Sequence, residues 1–349
     1  MKPSSRPRRI SIRDIAERAR VSLGSASRVI NGAANVAPAL RERVNDAIAE
    51  LGYRPDHAAQ SLRGRSTRTI GCLLTDVTNP LYGQLFHALE ERLRAAGYVV
   101  LLANSLNKVE REIDILSTFR DRRMDGVVIA PGNERNAALL AAIRSLEMPA
   151  VVIDRDMLPE LDRVQFDHVA GLRAVTSHLA SLGHRRVALV LSQTRTRPMR
   201  RRIEGFRAGL GEHGITPSDE LIVELPSAMS PSFAAVSQLL TRPDRPTALV
   251  ALGTNILNEA LNAIATQGLR IPEDISVVSL GDPEFAHSFT PPLSALRVDL
   301  AQAAERAVAM LLERVEQRTR GPGRTVMLAP DFVIRQSCAA PPRVRVKLA

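Results

Sequence analysis

Residues 11–52 read SIRDIAERARVSLGSASRVINGAANVAPALRERVNDAIAELG and contain three short segments with helical spacing of apolar side chains. Ser11 precedes Asp14 by three residues, which predicts a capping box at the start of the first helix. Ser22 is placed to cap the second helix, and Pro38 suits the first turn of the third. A helix, a tight turn and a second helix that begins with small polar residues are typical of a helix-turn-helix, whose second helix enters the DNA major groove.

Charge supports this interpretation. The chain of 349 residues carries a net charge of +10, and residues 1–65 alone hold thirteen basic and six acidic side chains, a net of +7. We expect residues 1–10, which are rich in Pro, Ser and Arg, to form a disordered basic arm. A basic excess on one small module favours a polyanionic partner such as DNA, RNA or an anionic membrane, whereas a merely solvated basic face is the alternative.

Beyond residue 69, apolar runs of strand length alternate with amphipathic helical stretches. This pattern predicts parallel sheets covered by helices on both faces. The number of units exceeds the needs of one open sheet, so we expect two α/β lobes with a ligand site at the carboxyl ends of the strands. The predicted strands are 70–74, 99–103, 126–130, 150–154, 187–191, 221–224, 248–252 and 275–280.

Composition and missing motifs exclude several classes of protein. Hydrophobic residues make up 45% of the chain and charged residues 24%, as in a folded soluble protein. The sequence shows neither an apolar segment of membrane-spanning length nor a signal core, so we expect a cytoplasmic protein with Cys72 and Cys338 reduced. We expect no metal, no cofactor and no catalysis, since the G-x-G-x-x-G at residues 209–214 trails a helix instead of following a strand.

Residues 11–63 resemble the DNA-binding head of the lactose-repressor (LacI/GalR) family of bacterial transcription regulators. The resemblance continues through RTIGCLLTDVTNPLYGQL, DGVVIAP, PAVVIDRD, LASLGHRRVALV, RRRIEGFRAGL and GLRIPEDISVVSLGD. It extends over roughly residues 11–338, and the motifs occur together and in order. It implies an α/β core of two periplasmic-binding-protein-like lobes, made of parallel sheets with flanking helices and preceded by an all-α helix-turn-helix head.

The resemblance also implies a division of the chain into segments. The head is expected at 11–54, a hinge helix and linker at 55–68, the effector-binding and dimerisation core at 69–338, and a tail at 339–349. Within the core, lobe 1 is expected at about 69–166 plus 299–326, and lobe 2 at about 167–298 plus 327–338.

Family members act as homodimers on near-palindromic double-stranded DNA operators, and a hinge leucine inserts into the minor groove. The matching leucine here is Leu62. Arg28 is the one recognition-helix side chain able to bind guanine with two hydrogen bonds, whereas Gly24 occupies a position that usually reads a base. The full set of expected DNA-binding residues is Ser11, Ser22, Leu23, Gly24, Ser25, Ser27, Arg28, Asn31 and Leu62.

The resemblance further implies a small-molecule effector in the cleft between the lobes. Gly281 and Gly253 stand where many members have Asp and Asn, and five arginines crowd residues 195–202. Loss of carboxylates and gain of guanidinium groups favour an anionic effector such as a sugar acid, while an exposed helix face with only Arg202 pointing inward is the alternative. The expected effector-binding residues are Leu81, Tyr82, Asp154, Arg202, Thr254, Asn255 and Asp282.

The sequence therefore predicts a ligand-controlled repressor. A corepressor-dependent or ligand-independent regulator of the same family is the alternative, and a sugar-binding protein without a DNA role is the competing class. Dimerisation is expected on the lobe faces, and an apolar stripe on the first core helix is the candidate surface, unless it only packs within its own lobe. The stripe consists of Leu85, Phe86, Leu89 and Leu93.

Overall fold

The computed structural model describes residues 10–30, 33, 35–53, 66–193, 196–317 and 321–342. It divides into two compact units, residues 1–67 and 68–349. The described residues leave out Asn31, Leu62, Arg195 and most of the predicted arm, hinge and tail.

The first unit is helical. Its helices are α1 (Ile12–Arg18), α2 (Leu23–Ile30) and α3 (Pro38–Leu51). The predicted capping box is confirmed, because the Ser11 N–H donates to Asp14 Oδ2 at 2.7 Å. Gly52 ends α3 with a left-handed φ of +61°. The buried core of this unit is small and consists of Ile15, Ala16, Ala19, Ala26, Val29, Val44 and Ala47.

The second unit contains two lobes, each with a six-stranded sheet. All strand pairings are parallel except one antiparallel pair in the second sheet. The predicted class of two parallel-sheet α/β lobes is confirmed.

Lobe 1 takes five strands and three helices from the segment before residue 167. They are β1 (Thr69–Leu74), α4 (Pro80–Ala95), β2 (Val99–Asn104), α5 (Val109–Asp121), β3 (Gly126–Ala130), α6 (Ala137–Arg144), β4 (Ala150–Ile153) and β5 (Asp162–Phe166).

Lobe 2 follows directly after β5. Its elements are α7 (His168–Ser181), β6 (Val187–Ser192), α8 (Arg197–Gly211), the 3₁₀ turn Asp219–Leu221, β7 (Ile222–Leu225), α9 (Phe233–Leu240), β8 (Ala248–Leu252), α10 (Asn255–Thr266), β9 (Ser276–Leu280), α11 (Glu284–Ser288) and β10 (Ser294–Arg297).

The chain then crosses between the lobes twice more. Helix α12 (Leu300–Gln317) and strand β11 (Thr325–Leu328) return to lobe 1, where β11 pairs with β5. Strand β12 (Asp331–Val333) joins β10 in lobe 2 and is antiparallel to it. The sheet of lobe 1 has the order β11-β5-β4-β3-β1-β2, and the sheet of lobe 2 has the order β12-β10-β9-β8-β6-β7. The last crossing therefore follows Leu328, two residues beyond the boundary expected from the sequence. Three crossings place the carboxyl ends of strands from both lobes beside one cleft.

Three of the four apolar side chains offered as a dimerisation stripe lie in the interior of lobe 1. Leu85, Leu89 and Leu93 on α4 are buried against the sheet, and Phe86 is half-buried. The alternative interpretation, packing within the lobe, therefore holds for these three leucines. Among the described residues, no helix combines the length and apolar composition that a membrane span needs.

Helices α7 and α8 pack closely because glycines on α8 face α7. A Cβ atom at Gly209 would lie 2.9 Å from the Arg173 backbone and would overlap the Thr176 hydroxyl, whereas at Gly211 it would meet nothing within 4 Å. We expect Gly209→Ala to lower the free energy of unfolding by about 1–3 kcal/mol through overpacking. Denaturant unfolding checks this, with Gly211→Ala as the control that leaves stability unchanged or raises it by up to about 1 kcal/mol. Equal stability of both variants would contradict the close contact.

Candidate functional site

Helix α2 carries five of the nine expected DNA-binding residues, namely Leu23, Gly24, Ser25, Ser27 and Arg28. Leu23 is 45% exposed, and Arg28 is also exposed, whereas Ala26 and Val29 face the core. A Cβ at Gly24 would meet only Ser22 Oγ, at 3.9 Å, so this position has space for a side chain that the sequence does not supply. Leu23 and Arg28 therefore provide the large side chains on this surface, one apolar and suited to a thymine methyl group, the other suited to guanine.

Two of the expected serines act in helix capping. Ser22 Oγ accepts from the Ser25 N–H at 3.1 Å and donates to Ser25 Oγ at 2.9 Å. Ser11 Oγ donates to Asp14 at 2.6 Å. The hydroxyls of Ser11 and Ser22 thus hold the starts of α1 and α2. Ser27 is half-buried, and Asn31 and Leu62 lie outside the described residues.

The second candidate site is a cavity of about 190 Å³ between the lobes of the second unit. Lobe 1 contributes the ends of β1, β3 and β4, and lobe 2 contributes the ends of β6 and β8 and the first turns of α8. Its volume is below the roughly 300 Å³ at which sites for drug-sized ligands begin, so it suits a molecule of about monosaccharide size. Of the expected effector-binding residues, Leu81, Tyr82, Asp154 and Arg202 line this cavity.

Asp154 connects the two lobes. It follows β4 with a left-handed φ of +52°, a conformation that Asp tolerates better than most residues. Its Oδ2 lies 2.7 Å from His168 Nε2, and its Oδ1 accepts from Arg197 Nη1 at 3.0 Å. His168 begins α7 and Arg197 begins α8, so two lobe 2 helices bind one lobe 1 carboxylate.

The pKa values in this network follow from its contacts. Burial by itself would raise the pKa of Asp154, but His168, Arg155 and Arg197 outweigh it and lower that pKa to about 2. Burial, opposed by Asp154, lowers the pKa of His168. Asp154 is therefore ionised and engaged by two donors, which leaves its charge already compensated within the protein.

A second ion pair joins the lobes near the cavity. Arg200 Nη2 on α8 lies 2.5 Å from Glu134 Oε1, and Glu134 Oε2 accepts from the Asp156 N–H at 2.8 Å. Arg201, by contrast, pairs with Glu204 on its own exposed helix face. The arginine-rich segment thus divides: Arg197 and Arg200 bind lobe 1 carboxylates, and Arg202 lines the cavity, so the alternative of a single inward arginine is wrong.

Three expected effector-binding residues are absent from the lining of this cavity. Asp282 is held by both terminal nitrogens of Arg335, each at 2.8 Å, and Thr254 donates to the Ala228 carbonyl at 2.5 Å. Asn255 donates to the Met229 carbonyl at 3.4 Å. Thr254 and Asn255 therefore position the loop that brings Ala228 to the cavity wall, instead of facing a ligand there.

Sequence reasoning missed two lining residues with charged side chains, Asp76 and Arg155. Arg155 directly follows Asp154, is 3% exposed and lines the cavity. Its Nε donates to the Pro131 carbonyl at 2.5 Å and its Nη2 to Tyr82 Oη at 3.0 Å. The signal was present, since a charged residue beside the predicted strand-end aspartate occupies the same edge of the sheet.

A helix-turn-helix head and a core of two parallel-sheet lobes with a cavity between them define a class of transcription regulators. The description "Bacterial regulatory proteins, lacI family" matches residues 11–56, and "Periplasmic binding protein-like domain" matches residues 176–338. The chain belongs to the lacI family of bacterial regulatory proteins, and it is a DNA-binding regulator of transcription, not an enzyme.

Individual relatives agree with this assignment. The HTH-type transcriptional repressor PurR of Aliivibrio salmonicida is 31% identical over 329 residues, which cover 94% of this chain and 98% of the relative. The ribose operon repressor of Haemophilus influenzae is also 31% identical, with the same coverage. The lac repressor dimer bound to operator and the anti-inducer ONPF is structurally similar, with a TM-score of 0.83, 29% identity, and coverage of 95% of this chain and 100% of that one.

Proposed function

We propose that the protein is a repressor that binds a near-palindromic operator as a homodimer, and that a small molecule in the interlobe cavity controls this binding. The proposal rests on the cavity between the lobes, which could hold a small molecule. The same chain also has an exposed recognition helix, so one protein combines a ligand site with a DNA-binding surface. A sugar, a sugar acid or a related metabolite fits the cavity volume. The relatives named as PurR and as the ribose operon repressor support repression as the output.

The cavity gives a physical route to control. Asp154 and Glu134 of lobe 1 are bound by Arg197 and Arg200 of lobe 2, so a change in the lobe angle changes both ion pairs. A molecule that contacts both walls of the cavity has different affinities for different lobe angles, and it shifts the populations by that difference. The affinity for the operator then depends on the lobe angle.

The dimer surface is proposed at the edge of lobe 1. Strand β2 ends the sheet order and exposes Val99, Leu101 and Leu102, of which Val99 is 63% exposed. An apolar edge strand with exposed side chains is a surface that proteins normally cover. A second copy of the chain is the proposed occupant, as in the lac repressor dimer to which the chain is similar.

The proposal is tested by selection of duplexes from a random DNA library with the full-length protein. We expect enrichment of sites with two inverted half-sites, because a dimer with two-fold symmetry places two recognition helices on one face of the duplex. Selected sites without inverted symmetry would contradict the dimer, and the absence of any enriched sequence would contradict specific DNA binding.

Leu62→Ala then tests the proposed insertion of a hinge leucine into the minor groove. Loss of the inserted side chain removes the contact that offsets base unstacking, which costs a few kcal/mol, so affinity for the selected operator should fall by about tenfold to a hundredfold. Gel-shift titration measures this, with binding to unrelated duplex expected to stay unchanged. Leu106→Ala is the matched control, because Leu106 is an exposed leucine of the second unit, outside the DNA-binding head. Equal losses on both duplexes would contradict the insertion.

A further inference from the structure

The cavity between the lobes contains more positive than negative charge that is free to meet a ligand. Its lining includes two carboxylates, Asp76 and Asp154. Asp154 is bound by His168 and Arg197, and Asp76 Oδ1 accepts from the N–H and hydroxyl of Thr78 at 3.0 and 2.6 Å. Asp154 is therefore ion-paired within the protein, whereas Asp76 is contacted through Oδ1 by the neutral groups of Thr78.

The two lining arginines differ from Asp154 because neither forms an ion pair with a described residue. Within the part of the chain that the structure describes, no carboxylate forms an ion pair with Arg155 or Arg202. Arg155 donates to the backbone carbonyls of Pro131 and Asp154 and to Tyr82 Oη, which are neutral acceptors. Arg202 Nη1 contacts the Met199 sulfur at 3.6 Å, and the buried Nε has no hydrogen-bond partner among the described residues.

The two guanidinium groups also affect each other. Burial lowers the pKa of Arg202, and the positive charge of Arg155 lowers it further, while Asp154 and Tyr82 oppose the shift. A buried cation without a counter-charge is costly, so such groups are normally paired. Asp154 and Glu134, together with Tyr82, act against burial and raise the pKa of Arg155, so Arg155 has counter-charges nearby. Arg202, whose buried Nε has no hydrogen-bond partner among the described residues, is therefore the cation that a negative charge on a ligand would stabilise most.

Among the described residues that line the cavity, those of lobe 2 include no carboxylate. Gly281 has a φ of +107°, and a Cβ there would point towards Leu81 of the cavity lining, at 3.4 Å. Gly253 is closed to side chains, since its Cβ would lie 2.7 Å from Ser279 Oγ and 2.9 Å from the Leu280 carbonyl. Gly253 and Gly281 therefore add no acidic side chain next to this wall.

We propose, on the basis of the effector function proposed above, that the effector is a small organic anion whose carboxylate or phosphate binds Arg202 together with Arg155 and Tyr82. Guanidinium groups bind either acid through charge-assisted hydrogen bonds. Tyr82 Oη accepts from Arg155, so its own proton is available to the same acid. Polar side chains elsewhere on the lining, Asn79, Asn107, Asn133 and Gln193, suit the hydroxyl groups of a polyhydroxylated ligand.

The binding test uses thermal unfolding of the full-length protein with matched probes at equal ionic strength. D-Gluconate is compared with D-glucitol, and D-glucose 6-phosphate with D-glucose. We expect an acid to raise the melting temperature and its neutral partner to leave it unchanged, with the two acids distinguishing carboxylate from phosphate. Neutral probes that stabilise the protein while both acids are inert would overturn the anion and leave the effector function standing.

Variants locate the binding acid. Arg202→Gln should weaken binding of the stabilising acid by at least about tenfold, because a hydrogen bond to a charged group is lost. Arg201→Gln, which removes the same charge from the neighbouring exposed residue of α8, should leave it unchanged. Equal effects of the two variants would show that only the general positive potential acts, and would overturn the assigned site.

A second measurement needs no ligand. In buffer free of organic anions, after unfolding and refolding to remove any bound molecule, Arg202→Gln should melt at or above the temperature of the unsubstituted protein, because it removes an uncompensated cation. A clear fall would show that Arg202 is already compensated and would overturn the proposal even if no probe binds. Operator selection, which involves no effector, reports separately on the DNA-binding function.

Discussion

Replacement of Asp154 by alanine is expected to lower the free energy of unfolding by about 3–5 kcal/mol. The carboxylate is buried, and it accepts from Arg197 at 3.0 Å and lies 2.7 Å from His168 Nε2. Removal of one partner leaves the buried Arg197 guanidinium without its counter-charge, which is costlier than loss of the ion pair itself. Because both donors belong to lobe 2, the substitution weakens the contact between the two lobes.

Acid titration gives this prediction a second signature. The pKa of Asp154 is lowered to about 2 in the folded protein, below an unfolded value of about 3.9. Stability from a depressed carboxyl pKa is present above the unfolded value and is lost as the pH falls through the folded value. Asp154 should therefore contribute about 2–3 kcal/mol that disappears between about pH 4 and pH 2.

Denaturant unfolding at a series of pH values measures both effects, with Asp331→Ala as the control. Asp331 pairs with Arg297 on the exposed edge of lobe 2, and an exposed pair contributes about 0–1 kcal/mol. The difference in stability between the unsubstituted protein and Asp154→Ala should shrink as the pH falls towards 2. A loss as small as that of Asp331→Ala, or a difference that does not depend on pH, would contradict the assigned role.

The long apolar segments of this fold were predictable, and the short mixed ones were not. Strands 126–130 and 248–252 coincide with β3 and β8, because every residue in them is buried and apolar side chains fill both faces. Strands β5 and β10 read DRVQF and SALR, which are short and contain polar residues, so neither forms the continuous apolar run that predicts a strand elsewhere in the chain. They become strands because neighbours supply parallel partners, and Asp162 of β5 is held by Arg314 and Arg324 from distant parts of the chain.

The candidate site shows the same limit. The family resemblance implied Asp154 and Arg202 as effector-binding residues, and both line the cavity. Sequence could not show that Asp282 is occupied by Arg335, because these residues are 53 positions apart in the chain. Nor could it separate Arg197 and Arg200, which bind lobe 1, from Arg201, which faces solvent, since this depends on the lobe angle.

The second large effect is expected in DNA binding: affinity for the selected operator should fall by about 10³–10⁵ between 50 and 200 mM salt if the dimer contacts six to ten phosphates. Each contact releases a condensed counterion, so the logarithm of the affinity falls linearly with the logarithm of the salt concentration. The net charge of +7 on residues 1–65 provides enough basic side chains for several such contacts per half-site.

Arg28→Ala separates base reading from phosphate binding in the same titration. If the exposed Arg28 reads a guanine, its loss should weaken binding to the operator by about 1–3 kcal/mol and relax specificity at one base pair of each half-site. The slope of log affinity against log salt concentration should stay nearly unchanged. A phosphate contact would instead weaken all sequences alike and reduce the slope by about one per arginine removed. Arg18→Ala, which removes the same charge from a residue paired with Glu50, controls for the loss of general potential. If the affinity of the unsubstituted protein did not change with salt concentration, DNA binding by this head would be contradicted, because contacts between basic side chains and phosphates release counterions.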